Sequence, residues 1–237
     1  MTGPPIKHSG VTGLLQMNTL LNLLGKFHKA HLLVVGDLML DHFIWGDVER
    51  ISPEAPVPVL RITSESSRLG GAANVIHNIR SLGGKVTVCG VIGRDAAGKQ
   101  LLEGLRRIRV STQGVFSSDH CQTIQKSRII ARPRHQQIVR LDRESHGDLR
   151  EIIRRKIREF VFRRAPRCDG LVVSDYGKGV IHEALLADIA DMAGKRKIVC
   201  VIDPKRENYS RYRLPTLITP NKEEAGEAAG IDIRDEA

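Results

Sequence analysis

The sequence predicts an α/β fold with a mainly parallel β-sheet flanked by helices. Two observations lead to this prediction: short, continuous aliphatic runs recur along the chain, and helix-like segments separate several of them. Continuous apolar runs are typical of strands that are buried on both faces, as in parallel sheets. Strands that alternate with helices favour an α/β architecture. The predicted strands are His31–Asp37, Val86–Ile92, Leu171–Ser174, Ile198–Ile202 and Thr216–Thr219.

Two regions do not follow this alternation of strands and helices, at about residues 43–62 and 123–142. They predict a small β-lid beside the main sheet. The first region contains three prolines, which exclude it from a central strand. The second contains the β-like runs Thr123–Ile130 and Gln136–Asp142. A lid beside an α/β sheet can exclude water from an active site. Ordinary surface hairpins are the alternative.

The domain organisation predicted from these patterns is one domain, residues 31–237, preceded by an extension, residues 1–30. The extension contains an apolar stretch, Leu14–Phe27, which polar residues interrupt and which predicts an amphipathic helix and not a signal peptide. A basic helix is predicted at residues 148–164, where apolar residues recur at helical spacing. Its apolar stripe consists of Ile152, Ile153, Ile157, Phe160 and Val161.

The charge balance predicts an anionic partner. Among 237 residues, 37 Lys and Arg outnumber 27 Asp and Glu, which gives a formal net charge of +10. Nucleic acid, anionic lipid and a phosphorylated metabolite would all fit this charge. Because the chain has no aromatic RNA-binding signature and no zinc-finger spacing, nucleic acid is disfavoured. Because no run of 18 apolar residues occurs, we expect no membrane span.

The cysteine pattern predicts a reduced, cytoplasmic protein. Cys89, Cys121, Cys168 and Cys200 are widely separated, and no Cys-x-x-Cys or His-Glu-x-x-His spacing predicts a metal site. Cys89 and Cys200 fall within strand-like runs, as buried free cysteines usually do. A disulfide between distant cysteines is the alternative.

Polar residues follow several predicted strands at the point where each strand ends. Asp37 and Asp41 follow the first, and the segments Asp175–Gly179, Asp203–Lys205 and Thr219–Glu224 follow later ones. Open α/β sheets bind ligands beyond the carboxyl ends of their strands, so these residues predict a binding site. For each aspartate taken alone, a turn or helix cap is the alternative.

A glycine pair begins another helix-like segment, Arg68–Asn74. Gly70 and Gly71 would allow a ligand to approach the backbone where the amides of a helix N-terminus point outward. The segment is neither a P-loop nor a dinucleotide-binding Gly-x-Gly-x-x-Gly. Close packing is the alternative explanation of the glycines.

Taken together, these segments resemble the ribokinase-like, or phosphofructokinase-B, family of carbohydrate kinases. Within that family they are most similar to the D-glycero-D-manno-heptose 7-phosphate kinases. The resemblance extends from Leu32 to the last residue, and Arg50–Val59 and Ser174–Gly179 are typical of the heptose branch. The segments that carry it are Val34–Asp41, Arg50–Val59, Gly70–Asn74, Gly93–Gly98, Gln136–Asp142, Ser174–Gly179, Ile202–Lys205 and Thr219–Glu224.

The resemblance implies an enzyme that transfers a phosphoryl group from ATP, with Mg²⁺, to the anomeric hydroxyl of heptose 7-phosphate. That step supplies ADP-heptose for lipopolysaccharide core synthesis. The implied partner is therefore a phosphorylated sugar, and a homodimer through the β-lid is also implied. The alternatives are another sugar or nucleoside kinase of the family and a non-catalytic product that only binds sugar.

The resemblance also implies roles for individual residues. Asp37, Asp41 and Asn74 would bind sugar hydroxyls, for which carboxylates are suited because diols offer paired donors. Gly70 and Gly71 would give the sugar access to the backbone.

The anionic groups would be bound by a second set of residues. Arg140 and Lys178 are expected on the substrate, and Lys205 on the nucleotide. Asn221 and Glu224 match an Asn-x-x-Glu element that helps to hold Mg²⁺ and phosphates, with Lys222 and Glu223 between them. Glu224 is the expected metal ligand.

One part of the family pattern does not occur in these 237 residues. The family has a Gly-Ala-Gly-Asp loop whose amides form an anion hole and whose Asp acts as the base, and the resemblance places that loop beyond Ala237, the last residue. Because phosphoryl transfer depends on positioning and electrostatic stabilisation, its loss would remove most of the rate. We therefore expect the chain to be a fragment of a kinase, with no catalytic base of its own and with part of its core uncovered.

Overall fold

Two β-sheets organise the chain in the computed structural model, which describes residues 20–144, 149–213 and 215–233. The larger sheet has the order β10-β9-β8-β1-β4-β5 and the smaller has the order β3-β2-β6-β7. The strands, in chain order, are β1 (His31–Gly36), β2 (Leu38–Ile51), β3 (Pro58–Gly71), β4 (Lys85–Gly93), β5 (Val115–Ser118), β6 (Ile124–Arg132), β7 (Gln136–Arg143), β8 (Gly170–Ser174), β9 (Val199–Asp203) and β10 (Leu217–Ile218).

Five complete α-helices of the described residues pack around these sheets. None of them is long and apolar enough to span a bilayer. Short 3₁₀ helices lie at Phe27–Lys29, Ala165–Arg167 and Arg206–Arg211. The α-helices are α1 (Ala72–Ser81), α2 (Ala96–Arg107), α3 (Glu151–Arg164), α4 (Glu183–Arg196) and α5 (Lys222–Ala229).

The larger sheet confirms the predicted parallel α/β architecture. Every strand pairing in it is parallel, and each of the predicted strands corresponds to an observed one within a few residues. The sheet is buried on both faces. Leu33 and Val35 of β1 pack into an apolar cluster with α3 and α4, whereas Val34 packs into the cluster on the opposite face with α1 and α2. Successive side chains of a strand point to opposite faces, so a continuous apolar run suits a strand with helices on both sides.

The smaller sheet comprises both regions that were predicted as a β-lid. It begins directly after β1, because only Asp37 separates β1 from β2. The prediction that prolines exclude the first region from a central strand was wrong in part. β2 contains no proline and lies inside the sheet, while Pro53 and Pro56 lie in the turn and Pro58 begins the edge strand β3. Proline at the first residue of an edge strand removes no ladder hydrogen bond that the sheet needs.

The basic helix is confirmed as α3, with one correction to its apolar stripe. Ile153, Ile157, Phe160 and Val161 are buried, but Ile152 is half exposed. Most of the predicted amphipathic helix Leu14–Phe27 lies outside the described residues, and residues 20–24 are helical. All four cysteines are free thiols.

The burial pattern of α3 predicts unequal effects of two isoleucine substitutions. Ile157 is fully buried, so Ile157→Ala should lower the free energy of unfolding by about 2–5 kcal/mol, because it removes buried methyl groups and leaves a cavity. Ile152→Ala, on the exposed side of the same helix, should change it by less than about 0.5 kcal/mol. Urea unfolding measures both values. Equal losses would contradict the assigned orientation of α3.

Candidate active site

The carboxyl ends of β1, β8 and β9 meet at one edge of the larger sheet, as the sequence predicted. The backbone N–H of Asp37 donates to the carbonyl of Ser174 at 3.2 Å, and that of Asp175 donates to the carbonyl of Asp203 at 3.0 Å. These bonds continue the parallel ladder one residue past each strand. Three aspartates that are far apart in the sequence therefore lie side by side.

Asp37 is buried beneath the loop that follows β8. Its carboxylate accepts backbone N–H bonds from Tyr176 at 2.9 Å, Lys178 at 3.1 Å and Val180 at 3.2 Å. Burial raises the pKa of Asp37 to about 6, and the three N–H bonds oppose this rise. The structure thus gives Asp37 a positioning role on the loop, and the predicted contact of Asp37 with sugar stays a prediction.

A second buried carboxylate, Asp175, holds the other side of the same loop. It accepts the backbone N–H of Gly177 at 2.8 Å, the side-chain amide of Asn208 at 2.7 Å and the hydroxyl of Tyr212 at 2.8 Å. Gly177 has a φ of +67°, a conformation that glycine adopts without a steric penalty. The conformation of residues 176–180 is therefore fixed by two carboxylates that solvent hardly reaches.

Asp41 lies on β2 and is held from two sides. Its Oδ1 accepts a hydrogen bond from Arg128 Nη1 of the adjacent strand β6 at 2.6 Å. A Cβ atom at Gly70 would lie 2.5 Å from Asp41 Oδ2, so a side chain at that position would displace the carboxylate. Gly71 has a φ of +54° and directly precedes α1. The glycine pair therefore combines a close approach with the turn that begins the helix.

Asp41 and Asn74 line one cleft of about 580 Å³, which we name the Asp41 cleft. Asn74 is exposed on the first turn of α1. Two predicted sugar-binding side chains are thus brought together, and a volume of this size accommodates a sugar phosphate. The cleft is also lined by Phe43, Arg68, His77 and Arg107.

Lys178 and Lys205 line a different cavity, of about 440 Å³, which we name the Lys178 cavity. Arg154 and Arg211 also line it, so it is strongly basic. Lys178 itself forms an ion pair with Glu144 at 2.5 Å. The structure therefore brings these two lysines together, although the sequence analysis assigned them to different ligands.

Arg140 lines neither of these cavities. It lies on the edge strand β7 and forms two hydrogen bonds with Asp142, at 2.9 and 3.0 Å. Its charge is neutralised locally. The structure does not bring Arg140 to the other predicted substrate residues.

Asn221 and Glu224 form a capping box at the start of α5. Asn221 Oδ1 accepts the backbone N–H of Glu224 at 2.8 Å, and Glu224 Oε2 accepts that of Asn221 at 2.9 Å. Lys222 and Glu223, between them, are exposed in the first turn of the helix. The Asn-x-x-Glu spacing is therefore explained locally by helix capping, and Glu224 Oε1 takes no part in it.

The region around Glu224 offers oxygen donors to a cation. Burial raises the pKa of Asp203, and the negative charges of Glu224 and Asp175 raise it further, so these carboxylates are close enough to interact. Within residues 20–144, 149–213 and 215–233, no group of three His, Cys, Asp or Glu side chains is placed to hold a metal ion. Mg²⁺ usually takes one or two protein carboxylates together with water and substrate phosphates. Glu224 and Asp203 fit a nucleotide-bound Mg²⁺ of that kind.

The catalytic aspartate of the Gly-Ala-Gly-Asp loop is the one predicted site residue for which the sequence offered no position. Ala237, beyond which the resemblance places that loop, lies outside the described residues, as do the three residues before it. The placement of the loop beyond Ala237 therefore stays a prediction. None of the contacts described above assigns the role of the base to another residue.

Sequence reasoning assigned no individual role to three residues of the site, although it included Asp175 among the strand-end residues that predict a binding site. Arg128 and Asp175 act through partners distant in the chain, and no local spacing indicates such a partner. Arg68 lies within the segment that contains the glycine pair, but no role was assigned to it. Its position two residues before Gly70 was the one sequence feature that placed it near the predicted binding site.

Comparison with known proteins gives the family. The model of the pfkB family carbohydrate kinases matches residues 29–237. This chain belongs to that family.

A relative named "bifunctional protein HldE" from Wolinella succinogenes is 45% identical over 209 residues, which cover 88% of this chain and 44% of the relative. The protein of the same name from Geobacter metallireducens is 47% identical over 205 residues, 86% of this chain and 41% of the relative. The chain thus spans less than half the length of these relatives.

Solved structures of other proteins share the fold of this chain. Phosphofructokinase-2 from Escherichia coli, in its tetrameric inhibited form, gives a TM-score of 0.67 at 22% identity, over 87% of this chain and 66% of that one. A carbohydrate kinase from Agrobacterium tumefaciens gives a TM-score of 0.63 at 18% identity, over 85% of this chain and 64% of that one. These comparisons confirm the ribokinase-like fold class.

The buried Asp37 carboxyl predicts a specific pH dependence of stability. Because its pKa is raised to about 6 in the folded state, folding disfavours the ionised form, and the free energy of unfolding should rise as the pH falls through 6 toward the ordinary value of 3.8. Between pH 7 and pH 5, wild type should gain about 1 kcal/mol relative to Asp37→Asn. Urea unfolding at both pH values measures this difference. The exposed control Asp119→Asn should track wild type, and a wild-type-to-Asp37→Asn difference that is independent of pH would contradict the assignment.

Proposed function

We propose that this chain is the kinase part of an enzyme that phosphorylates D-glycero-D-manno-heptose 7-phosphate at its anomeric hydroxyl, with ATP as donor. In this proposal the step supplies ADP-heptose for lipopolysaccharide core synthesis in the cytoplasm. The observation that carries it is the convergence of Asp41 and Asn74 on the Asp41 cleft, with Gly70 packed against the Asp41 carboxylate.

The choice of heptose over other sugars rests on sequence. The relatives named "bifunctional protein HldE" are 42–47% identical to this chain over most of its length, and Arg50–Val59 and Ser174–Gly179 resemble the heptose branch. The net charge of +10 supports anionic substrates in general. The solved neighbours, at 15–22% identity, support only the fold.

In the proposed reaction the residues of this chain bind and orient the sugar. Asp41 accepts hydrogen bonds from sugar hydroxyls while Arg128 holds its carboxylate in place, and Asn74 adds an amide donor group and an amide acceptor. When both reactants are held in line, the bimolecular step becomes effectively unimolecular. Such positioning, together with electrostatic stabilisation, is the main contribution that a protein makes to phosphoryl transfer. We assign no general base to any described residue.

The nucleotide is proposed to bind beside Asp203 and Glu224. These carboxylates would hold Mg²⁺, which, when bound, neutralises negative charge on the phosphates as they react. Tyr176 of the loop held by Asp37 and Asp175 lies near carboxylates of both regions, since the charges of Asp203 and Asp41 raise its pKa, after the larger effect of burial.

Removal of the Asp41 charge tests the sugar site. Asp41→Asn should weaken heptose 7-phosphate binding roughly 10- to 100-fold, because a hydrogen bond to a charged group contributes about 1.5–3 kcal/mol. Isothermal titration calorimetry on this chain measures the dissociation constant. Asp47→Asn, on the same strand but with a partly exposed side chain outside the Asp41 cleft, should change the dissociation constant less than about twofold. Equal effects of the two variants would rule out Asp41 as a sugar ligand.

A homodimer through the smaller sheet is the second proposal. Ile44, Ile129 and Val139 are cross-strand neighbours on one face, and Leu141 lies two residues along from Val139. Asp41 lies on the opposite face of the sheet, because Asp41 and Ile44 are an odd number of residues apart on β2. Val139 and Leu141 are 40% and 53% exposed, so the face is apolar and uncovered. The exposed apolar side chains on this face support a second copy of the chain as the occupant.

Light scattering coupled to size exclusion tests this interface. The wild-type chain should have a measured mass of about twice 26.3 kDa, the mass of one copy. The variant Val139→Glu/Leu141→Glu should be a monomer, because each copy would then bury two like charges. Ile152→Glu, an exposed apolar position on α3, should remain a dimer. A monomeric wild type, or a dimeric double variant, would refute the proposed interface.

A further inference from the structure

The cations that could bind the substrate's phosphate differ in whether a carboxylate already neutralises them. Arg128 is paired with Asp41 itself, Arg140 with Asp142 and Lys178 with Glu144. These cations include the two that the sequence assigned to the substrate's anionic group. A phosphate bound by any of them would compete with an existing carboxylate.

Arg68 and Arg107 are the exceptions within the lining of the cleft. In the described part of the chain neither guanidinium has a carboxylate partner, although Glu103 lies one turn before Arg107 on α2. Arg68 stacks on the ring of Phe43, with its Cζ 5.4 Å from the ring centroid. Stacking orients the plane of a guanidinium and leaves its N–H groups available at the edge. Two uncompensated charges therefore face the cleft that holds the proposed sugar ligands.

We propose that Arg68 and Arg107 bind the phosphate group of the sugar substrate in the Asp41 cleft. This inference rests on the proposed function and deepens it, because it assigns the substrate's phosphate to residues that the sequence did not single out. Guanidinium groups bind phosphate oxygens with two parallel N–H bonds, which lysine cannot do. The sugar hydroxyls at Asp41 and Asn74 and the phosphate at the arginines then occupy one continuous cleft of about 580 Å³.

The alternative direction for these side chains is an adjoining cavity of about 420 Å³, which both arginines also line. That cavity contains Glu65 and Glu103. Glu65 is 3.0 Å from the ring of His42, and its carboxylate would repel an anion there. Among the described residues, Asp41 is the single carboxylate that lines the Asp41 cleft, and Arg128 neutralises it, so the phosphate is favoured on that side.

Calorimetric titration of this chain with heptose 7-phosphate and with the same heptose without phosphate tests the proposal. Wild type should bind the phosphorylated sugar at least tenfold more tightly. Arg68→Gln and Arg107→Gln should each remove most of that preference, while their affinity for the unphosphorylated sugar stays within about twofold of wild type. The variant Arg107→Lys should retain part of the preference for the phosphorylated sugar. Arg140→Gln is the matched control and should keep the full preference, and thermal unfolding verifies that each variant is folded.

Several outcomes would overturn the assignment. A wild type that binds the two sugars equally has no phosphate subsite. A preference that survives in the double variant Arg68→Gln/Arg107→Gln places the subsite elsewhere, and a preference lost in Arg140→Gln places it at the edge strand β7. Titration with fructose 6-phosphate separates this inference from the proposed function. Tighter binding of that sugar, with the same dependence on the two arginines, would refute the heptose substrate and support the subsite.

Discussion

The Asp37 residue connects β1 with β8, with the start of α1 and with the loop that follows β8. Its backbone N–H extends β1 onto β8, its carbonyl accepts the first amide of α1 at 3.0 Å, and its carboxylate accepts three amides of the loop after β8. It is also the single residue that separates β1 of the larger sheet from β2 of the smaller one. Burial of a carboxylate is unfavourable unless hydrogen bonds compensate for it, and the three amides provide that compensation. The loop, the start of α1 and the smaller sheet are thereby fixed relative to the larger one.

The position of Asp41 follows from this arrangement. Because β2 begins directly after Asp37, Asp41 lies close to the strand ends, and the return of β3 brings Gly70 against its carboxylate. The absence of a side chain at Gly70 lets the two strands pair while the carboxylate stays open to the Asp41 cleft. A paired charge on one side and backbone on the other hold Asp41 in one orientation, which is what recognition of sugar hydroxyls requires.

The sequence predicted the architecture more completely than the site. Aliphatic runs such as that of β1 indicate buried strands wherever they occur, so the parallel sheet was predictable, and the glycine pair indicated where α1 begins. The side-chain partners were not predictable in the same way. Arg128 meets Asp41 across 87 residues, and Tyr176 meets Asp37 across 139, so no local pattern records either contact. Arg140 matched the family motif, yet the structure pairs it with a neighbour on its own strand.

Determining the crystal structure of this chain from crystals soaked with heptose 7-phosphate would test the proposed site most directly. We expect density for the sugar in the Asp41 cleft, with hydroxyl groups within hydrogen-bond distance of Asp41 and Asn74 and the phosphate between Arg68 and Arg107. Density for the sugar in the basic Lys178 cavity, with the Asp41 cleft containing only water, would contradict the account. In that case the two lysines that the sequence singled out would be the substrate's ligands, and the cleft would serve another purpose.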